Sequence, residues 1–178
     1  HLTYQGNWAI QRSGGNQNVF PGISASEYAL VTWQLVRYDY KLWINANLAG
    51  GSGSTQWHNN RTFDRLNNDS QWDFAEVLML EGAVADADRR NLEGYLAHKW
   101  GLASDLQGSH PYQASAPVSW GPSDLNPSLW LDANDTGYLA SKDHYVKTWK
   151  DISGNGRDAT TTDFSTGPTI IPNQLNGK

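Results

Sequence analysis

The sequence has no cysteine and a single methionine among its 178 residues. The missing cysteines exclude a disulfide framework and a cysteine-ligated zinc site. No apolar run reaches the roughly 18 residues that a membrane-spanning helix needs. Charge is also sparse: 13 Lys and Arg stand against 18 Asp and Glu, and no basic cluster is present to neutralise phosphates. We therefore expect a chain that neither binds nucleic acid nor inserts into a membrane.

What the sequence does contain is aromatic and turn-forming residues, with nine Trp, eight Tyr and 17 Gly. Aromatic side chains favour strands, whereas Gly, Asn, Asp and Ser favour turns, so this composition predicts a β-rich fold with many loops. The mild acidic excess suits neutral ligands such as sugars, or a divalent cation. The chain starts at His1 without a signal-like segment, and we expect it to be part of a longer protein.

The clearest strand signal lies in the first third of the chain. Two β-rich runs, 28–37 and 41–45, are separated by a few residues, which is typical of a hairpin. Residues 46–56 contain a Gly-Gly-Ser-Gly-Ser stretch and predict a flexible loop after the hairpin. Further strands are predicted at 74–80, 129–132 and 145–149.

One helix stands out, at residues 86–100. Asp86 and Asp88 in its first turn favour the positive end of the helix dipole, and Gly101 stands where a left-handed residue would end the helix. The apolar spacing predicts that the helix buries four side chains, those of Leu92, Tyr95, Leu96 and Trp100.

Two groups of motifs carry a family resemblance. Residues 76–112 contain Gly-Tyr-Leu-Ala-His-Lys-Trp-Gly-Leu followed by Ser-His-Pro-Tyr, and they resemble the closing strand and helix of the concanavalin A-like, laminin-G-type jelly roll. Residues 129–135, the Ser-Gly-Asn-Gly turn after Asp151 and the final Asn176-Gly177-Lys178 resemble the opening of the same domain type. The resemblance implies an all-β, two-sheet antiparallel jelly-roll sandwich with one prominent helix. It also implies a place in a large bacterial surface protein such as an adhesin.

The closing part of this pattern precedes the opening part. Residues 1–116 hold the closing part, 117–127 form a Pro-containing spacer, and 128–178 hold the opening part. Either the chain spans the boundary between two neighbouring domains, or its two parts complete one permuted or split sandwich. We favour the second, because the first leaves strand edges unpaired. It predicts that 129–131 lie in the same sandwich as 77–80.

Oxygen-bearing side chains cluster around the Gly154 and Gly156 turn. Oxygen ligands two residues apart on a glycine turn can surround a hard cation such as Ca²⁺. The alternative is a hydrogen-bonded Asx turn in which the two glycines supply positive φ. The predicted metal ligands on this turn are Asp151, Ser153, Asn155 and Asp158, and a second oxygen-rich cluster adds Asp132 and Asp135.

Several aromatic residues could form a platform on which a sugar ring stacks while amide and carboxylate groups bind its hydroxyls. The preferred sugar-binding segment follows the Gly-Ser stretch and comprises Trp57, His58, Asn59, Asn60 and Arg61. Strand alternation would place about half of the Trp side chains in the core, so each could instead be a packing residue. The other candidates for this platform are Trp33, Trp43, Trp72, Tyr38 and Tyr40.

A carboxylate pattern known from sandwich-fold glucanases, Glu-x-Asp-x-x-Glu, is matched only in part. Asp73 and Glu76 fit, but Gln71 occupies the nucleophile's position, and an amide cannot form a glycosyl-enzyme bond. We therefore predict that the chain is not an enzyme. The favoured function is an extracellular carbohydrate-binding module that binds cell-surface glycan, with Ca²⁺ as the possible cofactor. The alternative is a structural scaffold or split domain that contacts neighbouring domains and binds no ligand; a glycan hydrolase ranks third.

Overall fold

The computed structural model describes residues 2–4, 8–11, 17–20, 28–36, 39–52, 73–135, 139–142, 145–163 and 167–178. Within these ranges the chain forms small antiparallel sheets and one α-helix, so the predicted β-rich fold is confirmed at that level. The strands are β1 (Leu2–Tyr4), β2 (Trp8–Gln11), β3 (Gln17–Phe20), β4 (Val31–Val36), β5 (Asp39–Ile44), β6 (Asn47–Ser52), β7 (Glu76–Met79), β8 (Leu129–Asp132), β9 (Leu139–Lys142), β10 (Tyr145–Trp149) and β11 (Ala159–Thr160). Their orders within the sheets are β1-β2-β3, β4-β5-β6, β7-β8 and β11-β10-β9.

The predicted hairpin is confirmed as β4 and β5, which pair from Val31 opposite Ile44 onward. The loop predicted after it is wrong over residues 47–52, because β6 there pairs antiparallel with β5. Asn45 and Ala46 between these strands have φ of 48° and 65°, the left-handed values that a two-residue hairpin turn needs. The Asn45 side chain also accepts the N–H of Leu30 at 2.9 Å, which fixes this turn.

The predicted helix is confirmed as α1 (Asp86–Trp100), and Gly101 ends it with a φ of 74°. Its buried face differs from the prediction. Trp100 is buried as expected, but Leu92, Tyr95 and Leu96 are only half-buried. The other buried residues of the helix are Arg89, Glu93, Gly94 and Ala97. An ion pair and two small residues therefore occupy positions that the apolar pattern assigns to solvent.

Strands β7 and β8 join the segments on either side of the spacer. They pair antiparallel, with Val77 opposite Leu131 and Leu78 opposite Trp130. Backbone hydrogen bonds extend the pairing at both ends, from Ser128 N–H to the Met79 carbonyl at 2.8 Å and from Ala133 N–H to the Ala75 carbonyl at 2.9 Å. Leu131 then belongs to a buried apolar cluster with Val146 and Trp149 of β10. The predicted closeness of 129–131 and 77–80 is thus present as direct strand pairing.

The spacer is not a free linker. A short 3₁₀ helix at Pro122–Leu125 interrupts it, and both Pro122 and Pro127 are buried. Trp120 packs edge-to-face on Tyr95 of α1, with ring centroids 6.4 Å apart. The spacer therefore contacts the helix on its way to β8. Among the described residues no helix is long and apolar enough to cross a bilayer.

Candidate functional site

A lysine lies between two carboxylates where α1 meets the β7-β8 pair. Glu76 begins β7 and Asp132 ends β8, and antiparallel pairing places them directly opposite each other. Lys99, in the last turn of α1, brings its Nζ to 2.7 Å from Glu76 Oε2 and 2.6 Å from Asp132 Oδ2. The side chains of Lys99, Glu76 and Asp132 are only 12%, 2% and 10% exposed. We call these three residues the lysine-carboxylate cluster.

Two tryptophans complete the hydrogen bonds of Glu76. Trp130 Nε1 donates to Oε1 at 2.7 Å, and Trp100 Nε1 donates to Oε2 at 2.7 Å. Asp132 Oδ1 accepts the backbone N–H of Asn134 at 2.9 Å, which leaves Oδ2 facing Lys99. Every carboxylate oxygen of the cluster thus has a donor, as buried charges require.

The electrostatics of the cluster favour a charged lysine at rest. Burial alone would lower the pKa of Lys99, but the hydrogen bonds and charges of Asp132 and Glu76 outweigh it and raise the pKa. Aromatic rings shield the ammonium group, whose Nζ lies 5.2 Å from the ring centroid of Trp100 and 5.7 Å from that of Tyr95. Two carboxylates and one ammonium leave one excess negative charge, which the two indole N–H groups stabilise at Glu76.

The predicted cation turn is held by hydrogen bonds within the protein. Asp151 Oδ1 accepts the N–H groups of Trp130 and Ser153, and Oδ2 accepts that of Arg157, each at 2.9 Å. Burial alone would raise the pKa of Asp151, but the hydrogen bond with the Ser153 side chain and the three backbone N–H bonds outweigh it and lower the pKa. Asp158 in turn accepts the N–H of Asp151 at 3.0 Å. The arrangement matches the Asx-turn alternative, with Gly154 and Gly156 at φ of 89° and 68°.

The other predicted metal ligands are also in structural contacts. Asn155 donates its amide to the carbonyl oxygens of Pro127 and Ser128, which fastens the turn to the start of β8. Asp132 belongs to the lysine-carboxylate cluster, and the Asp135 N–H donates to its carbonyl at 3.3 Å. In the part of the chain that is described, no three His, Cys, Asp or Glu residues come together as a metal site. Calcium binding stays a prediction.

The aromatic candidates divide into two groups. The sugar-binding segment Trp57, His58, Asn59, Asn60 and Arg61 lies outside the described residues, as do Gln71 and Trp72. Trp43 is a packing residue, because it is buried and the Arg89 guanidinium lies 4.3 Å from its ring centroid. Trp33 is 42% exposed on β4. Of the described Trp side chains on this sheet, Trp33 is therefore the one that could meet a ligand.

A second buried polar group connects the helix to the Ser-His-Pro-Tyr turn. Arg89 forms an ion pair with Glu93 at 2.6 Å, and His110 Nε2 lies 3.5 Å from the same carboxylate. His110 Nδ1 accepts the N–H of Tyr112 at 3.3 Å. Burial lowers the pKa of His110, an effect that Glu93 opposes and Arg89 reinforces. The neutral imidazole is thus the form that fits this turn.

The same turn packs on a small residue of the helix. A side chain at Gly94 would come within 2.5 Å of Tyr112 Cβ, so only glycine lets the turn approach. His98 Nε2 is 2.8 Å from the Tyr112 carbonyl oxygen and adds a polar contact one turn along the helix. These contacts position α1, and through it Lys99, against the β7-β8 pair.

Comparison of the chain with protein-family models, with curated proteins and with solved structures finds no match. The arguments for function therefore rest on the residues themselves. Sequence reasoning missed the lysine-carboxylate cluster, because its members lie 23 and 33 positions apart. It had placed Glu76 in a hydrolase-like pattern and Asp132 in a cation site. The one available signal was that Lys99 and Asp132 both belong to the motifs that carry the resemblance.

Proposed function

We propose that the chain is a non-catalytic scaffold module of an extracellular bacterial surface protein, in which two parts of a jelly-roll pattern complete one sandwich. The observation that carries this proposal is the contact between its two motif groups. Lys99, from the helix motif, binds Asp132 from the opening motif. Asn176, near the chain's last residue, donates its side-chain amide to the Lys99 carbonyl oxygen at 3.0 Å. Residues of the closing and opening motifs, which lie on either side of the spacer, thus bond directly to each other.

The state of Glu76 supports a non-catalytic role. A glycosidase needs one carboxyl group that reaches the substrate as nucleophile and a second that delivers a proton. Glu76 instead accepts three side-chain N–H bonds and is almost completely buried. Its partner in the pattern, Asp73, is exposed and accepts the hydroxyl of Tyr28 at 3.2 Å. Both carboxylates are thus engaged in contacts within the fold.

A second candidate is the carbohydrate-binding module, with Ca²⁺ as cofactor. The specific observation in its favour is the half-exposed indole of Trp33 on the β4-β5-β6 sheet. An exposed indole offers a flat apolar face to the C–H side of a pyranose ring. The predicted segment 57–61 follows β6 in the chain and could supply the polar contacts. This module would use the same scaffold.

A glycan array separates the two candidates. We expect the chain to bind no glycan above background, either in millimolar Ca²⁺ or in chelator. Binding that Trp33→Ala or Trp57→Ala abolishes would overturn the scaffold proposal in favour of the lectin. Leu48→Ala is the matched control, because Leu48 is an exposed apolar residue of the same sheet and carries no indole. Replacing Leu48 with alanine should leave any sugar binding through Trp33 or Trp57 unchanged.

A further inference from the structure

The lysine-carboxylate cluster has the geometry of a condensation site. The Nζ of Lys99 is 2.6 Å from Asp132 Oδ2, so an amine and a carboxyl group are in contact before any movement. Holding two reacting groups in this way raises their effective concentration by many orders of magnitude. The carboxylate of Glu76 is 2.7 Å from the same Nζ and can exchange a proton with it. We propose that Lys99 and Asp132 form an intramolecular isopeptide bond, with Glu76 as the proton relay.

The reaction balances without any further reactant. The Lys99 ammonium first gives one proton to Asp132 Oδ2, which yields a neutral amine and a carboxylic acid. The Nζ lone pair then attacks Cγ of Asp132, and Glu76 takes a second proton from Nζ. Glu76 passes that proton to the Oδ2 hydroxyl as the Cγ–Oδ2 bond breaks, and a water molecule leaves. The ion pair becomes a neutral amide, Glu76 ends as the carboxylate that it was, and no atom is oxidised or reduced.

The surroundings favour each step. Attack on Cγ moves negative charge to Asp132 Oδ1, where the Asn134 N–H already donates at 2.9 Å. Such a preorganised donor stabilises a developing oxyanion. The ion pair is the resting state, but its burial lowers the cost of passing to the neutral amine and acid from which the attack starts, because separated charges are less well stabilised there than in water. Trp100 and Trp130 hold both oxygens of Glu76 in place for the proton transfer.

Other lysine-carboxylate contacts in the described residues lack this combination. Lys150 also contacts an aspartate, Asp158, but its side chain is 47% exposed and its ion pair lies in water. Water screens such a pair and competes for both of its groups, so the amine and the carboxyl group are not held together for reaction. Arg89 and Glu93 are buried, but a guanidinium is not deprotonated in proteins. Lys150 therefore serves as an internal control, because it contacts an aspartate but should not form an isopeptide bond.

Mass spectrometry of the intact full chain tests the proposal. We expect the folded chain, measured under denaturing conditions, to be lighter than its sequence mass by one water. Trypsin should then fail to cut after Lys99 and should release residues 91–142 as one peptide that lacks one water. Cleavage after Lys150 should proceed normally. A folded wild-type chain with its full sequence mass, or with complete cleavage after Lys99, would overturn the proposal.

Two variants identify the reacting atoms. Asp132→Asn should lose ammonia in place of water, because an amide nitrogen then leaves from Cγ. Glu76→Gln keeps the size of the side chain but cannot accept a proton, so its cross-linked fraction should fall at least tenfold. Loss of ammonia from the Asp132→Asn chain shows directly that the isopeptide bond has formed. The test therefore stays decisive if Glu76→Gln folds poorly. Loss of water from a Lys99→Arg chain would contradict the assignment to Lys99.

Discussion

Replacing Gly94 with alanine should destabilise the protein although alanine is the better helix former. Gly94 lies in the middle of α1, facing the turn that carries Tyr112. A Cβ at this position would lie 2.5 Å from Tyr112 Cβ and 2.8 Å from two of its ring atoms. Because Tyr112 Cβ is fixed to its own backbone, the turn itself must move away. That movement also stretches the contact between His98 and the Tyr112 carbonyl oxygen.

The size of the effect follows from opposing contributions. Alanine gains about 1 kcal/mol over glycine in a helix interior. Overpacking of a well-packed contact costs about 1–3 kcal/mol. A weakened hydrogen bond costs about 1 kcal/mol more. We therefore expect Gly94→Ala to lower the free energy of unfolding by about 1–3 kcal/mol, or the Tm by about 2–4 °C per kcal/mol for a chain of this length.

Urea denaturation followed by circular dichroism measures this difference. Gly108→Ala is the matched control, since its added Cβ meets no atom within 4 Å. It should change the free energy of unfolding by no more than about 1 kcal/mol, and in the stabilising direction. A Gly94→Ala protein as stable as the wild type would show that the helix and the Tyr112 turn are not in contact in solution.

Two further predictions concern titratable groups. Burial lowers the pKa of His110 below its unfolded value of about 6.5, so the unfolded state binds more protons, and stability should fall as the pH drops through that value. Urea denaturation at neutral and mildly acidic pH should show this loss, and His110→Asn should reduce it. Asp151→Ala removes the acceptor of three backbone N–H groups and should lower the free energy of unfolding by about 1–3 kcal/mol, equally in Ca²⁺ and in chelator. Thermal melts in both conditions measure this, and a loss confined to Ca²⁺ would identify the turn as a cation site.

The chain has five histidines, and the comparison of His110→Asn with the wild type measures how much the His110 imidazole contributes to the pH dependence of stability. An asparagine oxygen can still accept the Tyr112 N–H, so the turn keeps its hydrogen bond while it loses its titration. An unchanged pH dependence in this variant would place the effect on another group and contradict the assignment.

The local elements were predictable from sequence because local interactions determine them. The helix at 86–100 has acidic residues at its start and Gly101 at its end, and both signals act within a few residues. Strand β6 was missed because its turn does not use the usual Asn-Gly pair. Ala46 adopts a φ of 65° there, which is uncommon for a residue with a side chain, and no sequence rule anticipates it.

The candidate site was not predictable in the same way. Hydrophobic periodicity assigned apolar residues to the core and overlooked Arg89 and Glu93, which are buried as a pair. A buried charge is stable only when its partner is present, and the partner of Lys99 lies on a strand beyond the spacer. Patterns along the chain report which residues are apolar, but they do not report which distant charges meet.

The pairing of β7 with β8 also determines the order in which the protein can assemble during synthesis. Met79 and Ser128, whose backbones bond at the end of this pair, are 49 positions apart. The strands β4 to β6 and the helix with its Tyr112 turn close over short distances, so they can form as soon as they leave the ribosome. Strand β7 and the carboxylate of Glu76 must wait in water until β8 has been made. During that interval the edge of β7 is open to other chains, and the nascent protein is exposed to mispairing there.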